Sequence, residues 1–148
     1  MNTLAFVLLA AGAGCCIALQ AAANSKFRVN LGQPGYAAFL SICGTFLTAV
    51  TVMLAIRPTL PPADAFRQTQ WWNWIGGPLG ALIVLAGASL TSYLGAALFI
   101  AAVVAGQLIC SLILDHFALM GLPEQPITPG RVFGVALVVA GVVCIKYL

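Results

Sequence analysis

Only 6% of the 148 residues are charged and 62% are hydrophobic, with six Lys/Arg against three Asp/Glu. A water-soluble domain carries roughly 25% charged residues, so these few cannot solvate a globule. A bilayer makes the composition workable, because helices satisfy their own backbone groups there. The net charge of +3 is scattered and contains no basic run, which argues against nucleic acid as a partner.

A spanning helix needs about 20 largely apolar residues. The first such stretch is 3–23, preceded by a short segment without a basic residue. A secretory signal wants a positive start, so the stretch reads as a retained first helix. Gly12-Ala13-Gly14-Cys15 departs from a lipoprotein cleavage box at Gly12. The polar run from Asn24 to Asn30 reads as a connection. The second span is 35–56, closed by Arg57. The longest polar loop follows, from Arg57 to Gln70, where Pro58, Pro61 and Pro62 oppose regular helix.

From Trp71 to Leu114 no residue is charged. One helix of that length would be roughly twice as long as the hydrocarbon core is thick, so the chain must fold back. Ser89-Leu90-Thr91-Ser92-Tyr93 is the expected break, giving spans 71–90 and 94–114. A loop from Asp115 to Gly130 carries Pro123, Pro126 and Pro129, and the last span is 131–148. The expected fold is therefore an all-α integral membrane protein of five transmembrane helices, one transmembrane domain over residues 1–148. The connections leave no room for a soluble catalytic domain, and no nucleophile or His/Asp/Glu constellation suggests an enzyme.

Cys15, Cys16, Cys43, Cys110 and Cys144 all lie in apolar stretches without CxxC or Cys/His spacing. They read as small packing residues, and no metal or cofactor is expected.

Cytoplasmic loops normally hold the excess of Lys and Arg. With five spans, the membrane side of the N-terminus (side A) holds Arg57, Arg67 and Arg131. The opposite side (side B) holds Lys26, Arg28 and Lys146. A balanced tally is what a chain inserting in both orientations would show, with opposite copies pairing as an antiparallel homodimer. It is equally what a small protein oriented by some other feature would show. The odd helix count favours pairing, because inverted-topology repeats place substrate near the midplane at the repeat interface. One chain would then be half of an inverted-repeat transporter.

Leu19-Gln20 with Asn24, the run Trp74-Ile75-Gly76-Gly77-Pro78-Leu79-Gly80-Ala81, Ala105-Gly106-Gln107-Leu108-Ile109 leading to Asp115-His116-Phe117, and Pro129-Gly130-Arg131-Val132-Phe133-Gly134 together resemble the YdcZ-type family. These are half-size bacterial members of the drug/metabolite transporter superfamily, similar in layout to the four-helix small multidrug resistance proteins but with a fifth helix. The resemblance covers nearly the whole chain. It implies a multi-pass protein of the bacterial inner membrane and a transporter architecture more firmly than any substrate. Thr91-Ser92 lacks the proline that family members often carry at that turn.

Polar residues within spans often mark substrate paths, and residues four apart share a helix face. Gln107, Ser111 and Asp115 form one stripe toward side A; Cys16, Gln20 and Asn24 form another toward side B; Ser41, Thr45 and Thr48 mark the second span. In an antiparallel pair the Gln107 stripe of one copy and the Gln20 stripe of its partner share a leaflet. Gln107, Gln20, Asn24, Ser111, Ser41 and Trp74 are thus candidate pathway residues, although such groups also join helices by hydrogen bonds. Asp115, His116 and Arg131 are candidates for coupling or gating. Asp115 at a helix C-terminus needs a cationic partner, for which Arg131 on the same side is placed. The three tryptophans read as an interfacial belt or as a cation–π surface. The Gly76/Gly80 and Gly130/Gly134 pairs read as helix-packing positions. The rival to a small-molecule transporter subunit is a non-transporting scaffold or accessory subunit of a larger complex.

Overall fold

A computed structural model describes residues 3–148. Every regular element among them is helical: α1 (Thr3–Leu31), α2 (Pro34–Ile56), α3 (Ala63–Arg67), α4 (Gly76–Leu94), α5 (Ala96–His116) and α6 (Pro129–Tyr147). Short 3-10 turns occupy Trp71–Trp74 and Leu119–Gly121. Five stretches are long and apolar enough to cross a bilayer: Thr3–Leu31, Pro34–Ile56, Trp71–Leu94, Ala96–His116 and Pro129–Tyr147.

The chain divides into two compact units, residues 1–92 and 93–148. In the first, α1 packs along α2. Gly32, with φ of 75°, turns the chain between them and donates its N–H to the Arg28 carbonyl at 2.8 Å. Pro34 at the start of α2 occupies the helical position that has no use for an N–H. In the second unit α5 packs along α6. Thr128 caps α6 by accepting from the Arg131 N–H at 3.3 Å, with Pro129 just inside.

Two sequence boundaries are corrected. The polar run Asn24–Asn30 is not a connection: α1 continues through it to Leu31. No proline or glycine occurs between Gly14 and Gly32, so nothing local stops the helix. Polarity there marks where α1 leaves the hydrocarbon. Its 29 residues rise roughly 43 Å, against a core about 30 Å thick. The break expected at Ser89–Tyr93 is also displaced. α4 runs through Thr91 and Ser92 to Leu94, and the turn falls on Gly95 alone, at φ of 78°. Serine and threonine can back-bond within a helix, whereas only glycine takes this backbone conformation without strain. Elsewhere the shifts are smaller. The Arg57–Gln70 loop contains the short α3, and α6 begins at Pro129 rather than Arg131.

The glycine pairs do not pack within the chain. A Cβ at Gly76, Gly80, Gly130 or Gly134 would meet nothing within 4 Å, so none of them is in close contact with another helix of the same chain.

Gly95→Ala should therefore destabilise by about 1–3 kcal/mol through backbone strain alone, since space is open around it. Gly106→Ala, in the helical interior of α5 with equally open surroundings, should be neutral or stabilising by up to about 1 kcal/mol. Thermal denaturation of the two purified variants in one detergent checks the difference in sign.

Candidate functional site

Polar side chains gather at helix ends in each unit, with isolated amides between. In the first unit the Cys16–Gln20–Asn24 stripe continues one further step to Arg28, on the last turn of α1. Arg28 is half-buried and donates through Nη1 to the Ser89 carbonyl at 3.2 Å and to the Ser92 hydroxyl. This pins the end of α1 to the last turns of α4, where a cation also meets the favourable end of the helix dipole. Asn24 and Thr91 are the buried polar residues among those described. The Thr91 hydroxyl is the buried side-chain oxygen left without a hydrogen-bond partner among the described residues.

The remaining candidates of this unit take other roles. Gln20 is exposed on α1. Ser41 is half-buried, and its carbonyl accepts from the Thr45 hydroxyl at 3.1 Å; Thr48 and Thr51 likewise donate to the carbonyls four residues back. The hydroxyls of α2 are thus turned onto their own backbone. Trp74 lies in the 3-10 turn before α4, exposed, with Nε1 donating to the Thr69 hydroxyl at 3.2 Å.

In the second unit, Asp115 and Arg131 form an ion pair between the end of α5 and the start of α6. Arg131 also donates through Nη1 to the Gln125 carbonyl at 2.8 Å, and the Gln125 N–H donates to the Asp115 carbonyl at 2.9 Å. The connecting loop is therefore held at both of its ends by one acid–base pair. His116 accepts at Nδ1 from the Ile127 N–H at 3.4 Å, and its ring meets Phe117 edge-on.

Below the ion pair, Leu108, Ser111, Leu112, Arg131, Gly134 and Val135 line a groove of about 230 Å³ between α5 and α6. Ser111, Asp115 and Arg131 are thus brought together, with Gly134 leaving the groove open where a larger side chain would fill it. Gln107 stands one turn of helix before Ser111, next to the middle of α5, exposed and without a hydrogen-bond partner among the described residues. Among the described residues no three His, Cys, Asp or Glu side chains cluster as metal ligands.

Residues 5–144 match the family described as "Putative inner membrane exporter, YdcZ". The chain belongs to the YdcZ family. It is 31% identical over 143 residues to inner membrane protein YdcZ of Escherichia coli (strain K12), a match covering 94% of this chain and 91% of that one. No solved structure shows a significant match to it. The chain is accordingly a multi-pass inner-membrane protein of a family described as exporters.

Sequence reasoning missed the Arg28–Ser89–Ser92 contact because Arg28 was counted as a loop charge. The four-residue spacing from Gln20 through Asn24 to Arg28 was the available signal. Nothing in the sequence distinguishes the buried Thr91 from its exposed neighbour Ser92.

Thr91→Val keeps the shape and removes the unpaired hydroxyl. An unsatisfied buried polar group costs about 1–3 kcal/mol, so this variant should unfold at a higher temperature than the parent. Arg131→Gln breaks the ion pair and the bond to Gln125 together. At this partial exposure it should cost about 1 kcal/mol and increase protease cleavage within residues 117–128.

Proposed function

We propose that the chain is one half of an inner-membrane exporter, working by alternating access as an antiparallel homodimer of copies inserted in opposite orientations. The observation that carries the reading is Gln107: an amide beside the middle of a spanning helix, exposed and unbonded within its own chain. Facing lipid, an unpaired amide costs several kcal/mol. A second copy or a solvated substrate path removes that cost. Two further features support a second copy. The Lys/Arg tally is three on each side of the membrane. The glycines at 76, 80, 130 and 134 have open space where close helix approach would use them.

The substrate class follows from the charge inventory. Asp64, Asp115 and Glu124 are the only acids. Asp64 and Glu124 lie outside the spans, and Asp115, next to the last residue of its span, is paired with Arg131. A pathway of Gln107, Ser111, Gln20 and Asn24 suits a small metabolite or organic cation that is neutral overall or brings its own counter-charge. Asp115, His116 and Arg131 act as a gate at one end rather than as a proton relay at the midplane. No catalytic role is assigned to any residue. The lack of a mid-span acid also suits an accessory subunit of a larger complex, which would bind no substrate of its own.

Reporter fusions at the C-terminus should be active on both sides of the membrane, and two lysines added within residues 57–70 should force one orientation. A single orientation for nearly all native molecules would sink the dimer as described. Gln107→Ala should leave the dimer intact, read by cross-linking in native membranes, while abolishing ligand-induced thermal stabilisation or transport. Asp115→Asn should retain at least partial transport. Loss of proton-driven transport in that variant, with downhill exchange preserved, would make Asp115 the coupling residue instead.

A further inference from the structure

Between α2 and α4 the chain is exposed at every residue from Arg57 to Trp71, yet it is not irregular. Arg57 closes α2 in the left-handed conformation, donating its N–H to the Met53 carbonyl at 2.9 Å. α3 and the 3-10 turn at Trp71–Trp74 follow. Local bonds stiffen them: Thr69 donates its hydroxyl to the Phe66 carbonyl at 2.8 Å and accepts from Trp74 Nε1, while Gln70 and Asn73 cap each other reciprocally. The segment thus holds a shape of its own and presents Leu60 (92% exposed), Phe66, Trp71 (71%) and Trp74 (62%) outward. Its charges are Arg57, Arg67 and Asp64, a net positive balance. Neither guanidinium is among the groups bonded to other described residues.

Rigid, uncovered aromatic and aliphatic side chains beside unneutralised arginines, at the water-side ends of two spans, match one surface. Tryptophan rings settle at the headgroup level, and arginines near a membrane surface attract anionic lipid. We propose that residues 57–74 form an interfacial foot that binds anionic phospholipid, with Leu60, Phe66, Trp71 and Trp74 seated at the headgroup–acyl boundary and Arg57 and Arg67 on the phosphates. This reading is independent of substrate and of dimer orientation. It assigns Trp74 to lipid rather than to the transport pathway.

Trp71, Trp72 and Trp74 are the only tryptophans of the chain, so intrinsic fluorescence reports on this segment alone. The full-length protein is reconstituted into vesicles containing brominated phosphatidylcholine or brominated phosphatidylglycerol at equal mole fraction and with matched chains. Both lipids should quench the tryptophans, and the phosphatidylglycerol should associate about fivefold more strongly for each arginine engaged. Arg57→Gln with Arg67→Gln should bring the two lipids to parity while quenching by the neutral lipid remains. Because the lipid preference is first read on the native protein, a misfolded variant does not remove the test. Equal quenching by both lipids in the native protein overturns the anionic preference. Ready quenching by aqueous acrylamide without quenching by either lipid, or quenching only by an added aromatic cation, overturns the foot altogether.

Discussion

A backbone amide in hydrocarbon has no water to turn to, and this constraint organises the molecule. It makes every span a helix, and it governs what the polar side chains of the spans do. Thr45, Thr48 and Thr51 bond their own helix carbonyls, so α2 presents hydroxyls without exposing an unpaired donor. The same constraint confines the turns. The long helices of the described chain are interrupted only at Gly32 and Gly95 or by the proline-bearing loops, where unpaired backbone groups can reach the interface.

Charged groups obey the same rule at larger scale. Arg28 and Arg131 sit at opposite kinds of helix end, one on a last turn and one on a first. Each reaches to a neighbouring helix of its own unit: Arg28 to α4 and Arg131 to Asp115 on α5. The hydrophobic effect cannot hold one apolar helix against another in lipid, since lipid tails are as apolar as leucine. Ties at the water boundary are therefore worth more to this fold than their modest surface energies suggest, because they fix which helix neighbours which. Arg131 illustrates how such a tie acquires a second use. The side chain that fixes the α5–α6 loop also lines the groove beside Ser111 and Gly134, so any movement of the loop must change the groove.

Hydropathy made the number of spans legible in the sequence: five helices are long and apolar enough to cross a bilayer. Helix ends were less legible. Hydropathy reports where a chain leaves lipid, whereas glycine and proline report where a helix stops, and in α1 these differ by a full eight residues, from Ala23 to Leu31. At the α4–α5 turn the serines and threonine suggested a break that a single glycine performs. Of the candidate site, the pairing of Asp115 with Arg131 could be anticipated from the helix dipole and from their shared side. The Arg28 tie could not, because it depends on α1 persisting beyond its apolar stretch. The glycine pairs show the converse limit: spacing identifies a surface suited to close approach but not which helix approaches it.

The residues the chain buries explain why its helices cover so little of one another. Apart from Phe99, the buried hydrophobic residues among those described are the alanines at 21, 37, 38, 88 and 105. Alanine lets helix backbones come close, and close backbones gain dispersion contact, but a methyl group makes few contacts of its own. Cohesion within one chain therefore rests on a few near approaches and the two arginine ties. Large side chains such as Leu4, Phe39, Phe46 and Phe133 all face outward, where lipid receives them without penalty. Gln20 and Gln107 face outward too, and lipid does penalise them. A helix that turned these amides toward its own chain would have to displace the alanine contacts that hold it. In the proposed pairing, a second protein surface or a solvated path against the outward amide relieves that penalty without disturbing the alanine contacts.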